Sequence, residues 1–64
     1  MNGTESENRI QWHIMYKARG IPQYEVFNSR ERYRDFMEYL KSEGCTVERR
    51  WTRDIFGRDT PIED

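Results

Sequence analysis

One cysteine, one histidine, two prolines and four scattered glycines are all that this chain of 64 residues holds of the residues that staple or punctuate small folds. A lone cysteine excludes an internal disulfide. One cysteine with one histidine cannot supply the four N and S donors of a structural zinc site. Gly3, Gly20, Gly44 and Gly57 lie too far apart to make a phosphate-cradling loop. No apolar run approaches the ~20 residues of a membrane span, and no hydrophobic export region follows Met1. Charge of one sign is lacking too. The charged fraction is 36%, yet the net charge is only −1. The total therefore points neither to disorder nor to a polyanionic partner. An unpaired cysteine fits a reducing compartment, so a cytoplasmic protein without a membrane partner is expected.

What is present must hold the fold by packing. A chain this short buries only about 60% of its unfolded surface. Its aromatic content of 14% suits the task, because each large ring buries ~150–250 Å².

The segment FNSRERYRDFMEYLKSEG at 27–44 is the strongest element. Tyr33, Phe36, Met37 and Leu40 recur at i, i+3, i+4 and i+7, one stripe of a helix. Asn28 or Ser29 offers the N-cap oxygen, and Gly44 can take the left-handed conformation that ends a helix. Before it, RIQWHIMYK at 9–17 alternates strictly. Ile10, Trp12, Ile14 and Tyr16 point one way; Gln11, His13, Met15 and Lys17 point the other. This is a half-buried strand with its large residues toward the helix. ARGIPQ at 18–23 reads as a turn. YEVF at 24–27 reads as a short second strand, with Tyr24 and Val26 on one face.

After Gly44, CTVERRWT at 45–52 reads as a third strand with Cys45, Val47 and Trp51 inward. Arg49 would then also point inward. A bulge near Arg49 and Arg50, or a strand ending before Trp51, would remove that conflict. DIFGRDT at 54–60 is either a turn docked on the sheet edge or a very short fourth strand, with Pro61 disfavouring continued pairing. The expected fold class is α+β: a single small domain in β-β-α-β order, one helix packed on a three-stranded, mainly antiparallel sheet of order 2-1-3. The domain spans 9–58, between a disordered arm at 1–8 and a flexible acidic tail at 59–64. The crossover from strand two through the helix to strand three is expected to be right-handed.

For function, the residues first argue against catalysis. His13 and Cys45 fall on opposite faces of the expected sheet, so they cannot form a nucleophile–base pair. The acids are scattered singly among arginines. No cofactor, metal or small-molecule substrate is expected, and the chain reads as a non-enzyme. Two binding readings remain. The first is a protein-binding module, a regulator or inhibitor, whose partner is another protein or a second copy. The sheet face away from the helix would carry Gln11, His13, Met15, Lys17, Glu25 and Phe27. His13, Met15 and Phe27 would be its contact residues, and the open sheet edges a template for strand addition. The second is nucleic-acid binding. A basic body lies between acidic ends at Glu5, Glu7, Asp59, Glu63 and Asp64. Lys17, Arg19, Arg49, Arg50 and Arg53 would hold phosphates, with Trp51 as a stacking platform. Glu48, Asp54 and Asp59 are interleaved with those cations and weaken this second reading.

Overall fold

A computed structural model describes residues 10–63. The order is β1 (Gln11–Ala18), β2 (Ile21–Phe27), α1 (Arg30–Glu43), β3 (Thr46–Arg53) and β4 (Asp59–Pro61). The strands form one antiparallel sheet in the order β2-β1-β3-β4. The α+β architecture and the 2-1-3 arrangement are those the sequence predicts, with a fourth strand added beside β3. The arm expected at 1–8 lies outside the described residues.

Helix α1 starts and stops where its caps dictate. Ser29 is extended (φ −131°, ψ 129°), and its hydroxyl accepts from the Arg32 amide at 3.3 Å. At the other end Gly44 sits at φ 72°. The amide of Gly44 donates to Lys41 and that of Cys45 to Leu40. These two bonds satisfy carbonyls that would otherwise be stranded at the helix end. The apolar stripe then packs on β1. Trp12, Ile14 and Tyr16 meet Tyr33 and Leu40 in the buried core, with Phe27, Phe36, Met37, Cys45 and Val47 against it. Phe36 is the hinge of an aromatic group, 5.5 Å edge-on to Tyr16 and 5.1 Å from Phe27.

Three expectations need correction. The first concerns the turn. The chain reverses over Arg19 and Gly20 alone, both at positive φ (56° and 78°), which is a type I′ turn. Strand β2 therefore begins at Ile21, and Pro22 lies inside it. The two-residue turn makes Ala18 and Ile21 the first hydrogen-bonded pair, and bonded pairs alternate from there. Pro22, Tyr24 and Val26 consequently turn their backbone groups outward to the free edge. Pro22 lacks an N–H at a position where none is needed.

The same turn fixes the faces. Trp12 pairs with Phe27, Ile14 with Glu25, His13 with Val26 and Met15 with Tyr24. Directly paired residues share a face. Phe27 and Glu25 thus lie on the helix side, and Tyr24 and Val26 on the uncovered side. The expected contact residue Phe27 is instead a core residue against Phe36. A six-residue turn had left this parity open, and a two-residue turn settles it.

The second correction is to strict alternation in β3, which a bulge breaks, one of the two ways out that the sequence left open. Tyr16 pairs with Val47 but Met15 pairs with Arg49, so Glu48 is an extra residue bulged out of register. The bulge precedes the arginine pair and reverses the alternation after it. Arg49, Trp51 and Arg53 face away from the helix, opposite Met15, His13 and Gln11. Trp51 is therefore not beneath α1, as strict alternation had placed it. Arg50 takes the helix side, where it donates to the Tyr33 hydroxyl at 3.2 Å.

The third correction is to the boundary at 58, since the very short fourth strand is the alternative that the structure takes. Asp54 accepts from the amides of Phe56 and Arg58 through its carboxylate, at 2.9 and 3.0 Å, and holds a tight turn. Asp59–Pro61 then pairs with β3, so the sheet continues past position 58. The Ile62 amide bonds the Arg50 carbonyl at 3.0 Å. Alternation from that pair turns the nitrogen of Pro61 outward as well, which is why proline is tolerated there.

Candidate functional site: the uncovered sheet face

The face away from α1 has an organised floor. His13 is only 2% exposed, although it lies on the face that α1 does not cover. Its ring lies 5.0 Å from that of Trp51 at an interplanar angle of 12°. Tyr24 lies alongside both, 5.8 Å from His13 and 6.1 Å from Trp51. The guanidinium of Arg49 sits 4.9 Å from the Trp51 ring centre. Trp51 is 8% exposed as a result. The offset of the rings and the cation over the indole are both favourable arrangements for π systems.

The hydrogen bonds of His13 suit a neutral ring protonated on Nε2. The Gln11 Oε1 atom is an acceptor only, so Nε2, at 3.1 Å, carries the proton and donates to it. In the neutral ring Nδ1 accepts from the Tyr24 hydroxyl at 2.5 Å. Burial lowers the His13 pKa from its ordinary value, the Arg53 charge lowers it further, and Asp59 acts in the opposite direction. Both effects that dominate favour the neutral ring. Among the described residues the buried Trp51 indole N–H has no acceptor, a local cost of roughly 1–3 kcal/mol.

Around this floor the charges are paired. Arg53 holds Asp59 through two bonds, at 2.7 and 3.0 Å. The bond from Arg53 pulls the Asp59 carboxyl below its usual range. Lys17 lies 3.5 Å from Glu48. At the adjoining turn Arg58 meets Asp54 at 3.2 Å. Backbone N–H donation, from Arg58 first, also lowers the Asp54 pKa.

The sequence-predicted sites divide accordingly. Of the three expected protein contacts, Met15 is presented to solvent, His13 is buried in the floor and Phe27 is in the core. Of the expected phosphate contacts, Lys17, Arg49 and Arg53 share the uncovered face with Trp51. Arg50 is turned to the helix side and Arg19 stands at the hairpin tip. Tyr24 and Val26 were not anticipated here. Gly20, second in the two-residue loop, is the one residue there of a hairpin type, and Arg19 before it masks that signal. Cys45 packs against the helix-side core, across the sheet from His13. Among the described residues no group of three or more His, Cys, Asp and Glu could hold a metal ion. No described helix is long and apolar enough to cross a membrane.

No family model, curated protein or solved structure matches this chain.

Proposed function

We propose that the protein is a non-enzymatic module that binds another protein through its uncovered sheet face. One observation carries this reading. Met15, Tyr24 and Val26 form a contiguous apolar patch on adjacent strands, each 37–52% exposed, over the fixed floor of His13 and Trp51. Such a patch, rimmed by charged side chains, has the anatomy of a protein-binding surface. Its central aromatic, Tyr24, is an interface residue type of low ordering cost, already held by its bond to His13. Arg49 at the rim favours a partner with carboxylates nearby.

The nucleic-acid alternative has less support. Lys17, Arg53 and Arg58 are engaged with Glu48, Asp59 and Asp54. Trp51, the intended platform, is covered by Arg49 and its ring neighbours, so a base would have to displace them.

Capture from native lysate with and without nuclease tests the proposal, using Met15→Glu as the control. The variant should keep its melting temperature and lose the captured protein, while nuclease changes nothing. Capture that nuclease abolishes, or that Met15→Glu leaves intact, refutes the reading.

A further inference from the structure

The free edge of β2 is complementary to itself. We propose that two copies of the chain join by antiparallel pairing of β2 with β2 about a two-fold axis through Tyr24, making one eight-stranded sheet. This uses backbone groups rather than the apolar face, and it holds whatever that face binds.

Among the described residues β2 is the only long open edge. Its seven residues are followed on the other side of the sheet by a three-residue β4. On β4, only Asp59 and Pro61 turn outward, and Pro61 has no N–H to offer. On β2, Tyr24 and Val26 each direct both an N–H and a C=O outward, and Pro22 a C=O. Unpaired groups of this kind form a template for another strand.

The parity of the edge restricts the register. Hydrogen-bonded pairs across the new seam must join outward-facing residues, so only Pro22, Tyr24 and Val26 can exchange bonds. Three symmetric registers pair five or more residues of the strand; the one with its axis through Gln23 makes only two backbone bonds, because Pro22 has no N–H, and two registers remain. In one, the axis passes through Glu25 and sets two Glu25 carboxylates directly opposite, which is repulsive. In the other, the axis passes through Tyr24, the middle residue of β2. All seven residues then overlap. Tyr24 faces Tyr24 and Pro22 faces Val26 on the uncovered side. Gln23 faces Glu25, and the exposed Ile21 faces Phe27, on the helix side. Every pair is apolar with apolar, or amide with carboxylate. Four backbone bonds form: two between the Tyr24 residues, and one from each Val26 amide to a Pro22 carbonyl.

A two-fold axis normal to the sheet keeps both helices on the same side. Tyr39 is exposed on α1 beside Phe36, whose ring also meets Phe27 of β2. The pairing consumes the edge that makes it, so assembly closes at two copies.

Sedimentation equilibrium of the full chain from about 10 μM to about 1 mM should show a monomer–dimer equilibrium. Val26→Pro removes two of the four seam bonds but none that β2 makes to β1, and should weaken dimerisation at least about tenfold with an unchanged monomer fold. In a Cys45→Ser background, Tyr24→Cys brings two Cα atoms to about 5.5 Å, within disulfide range. Glu25→Cys places them roughly 7–8 Å apart on the diagonal, beyond easy bridging. Mild oxidation should therefore crosslink the first variant and not the second, which decides the register even if Val26→Pro fails to fold. A monomer throughout the concentration range, as expected if the edge takes a foreign strand instead, overturns the proposal. So does crosslinking of Glu25→Cys as fast as Tyr24→Cys, or a Val26→Pro dimer as strong as the original. Met15→Glu should leave dimerisation intact, which separates this proposal from the one concerning the face.

Discussion

Deleting Glu48 should leave the protein folded, with Trp51 still stacked on His13. Val47 and Arg49 already pair with Tyr16 and Met15, consecutive residues of β1, so removing the residue between them restores a regular ladder. Everything from Arg49 onward keeps its face and its pairing with β4. The losses are the Lys17–Glu48 ion pair, exposed at both ends and worth ~0–1 kcal/mol, and the extra twist that a bulge imparts. Against them stands the ordering of one unpaired residue, which costs about 1–2 kcal/mol in the folded chain. The net change should stay within ~1 kcal/mol, or roughly 4–8 °C in melting temperature for a domain of this size. Inserting one alanine between Arg50 and Trp51 is the matched control. With two surplus residues against β1, it carries Trp51 one position along, to the helix side, and breaks the ring stack. Losing the burial of a tryptophan costs ~3–5 kcal/mol, comparable to the whole stability of a small core. Thermal melts by circular dichroism give the stabilities. The ring-proton shifts of His13, moved upfield by the indole beside it, report the register. An unfolded Glu48 deletion, loss of the His13 shift in it, or a folded insertion variant that retains that shift would refute the bulge at Glu48.

Acid should weaken the fold through His13. Its folded pKa lies below the unfolded value of 6.5, so its contribution is complete above that value and declines as pH falls from there to the folded pKa. The slope is at most about 1.4 kcal/mol per pH unit. Chemical denaturation from neutral pH to about pH 5 should show this slope in the wild type and not in His13→Gln; equal slopes would contradict it. Asp54 and Asp59, both lowered from 3.8, act in a separate window below that pH. Leu40→Ala, at a fully buried position on α1, should cost ~2–5 kcal/mol, read as a large fall in the melting midpoint. A midpoint unchanged within error would show that α1 does not seat on β1.

The sequence reading reached the elements with strong periodicity and missed those decided by single residues. Strand β1 and helix α1 were legible because each repeats its pattern over two turns or more of chain. The faces of β2 were not, because they depend on the length of one turn. Arginine at the first position of a type I′ loop is sterically unfavourable and gave no reason to shorten ARGIPQ to two residues. Position 48 carries no signal of a bulge, but the apparent inward turn of Arg49 located the irregularity to within one residue. Strand β4 is too short to show a period. The candidate site inherited these errors. Its floor unites residues of β1, β2 and β3, and two of those strands had their outward faces misassigned.

Strand order also bears on how the chain is made. In the order β2-β1-β3-β4, no strand is inserted between two that precede it. As synthesis proceeds from the N-terminus, β2 can close on β1 through a local loop, at little entropic cost. The helix then arrives to cover the exposed row of Trp12, Ile14 and Tyr16. Only afterwards do β3 and β4 extend the other side, each onto an edge already in place. The ribosome can thus release this protein as a sheet that grows outward from its first strand, without any earlier pairing having to be undone.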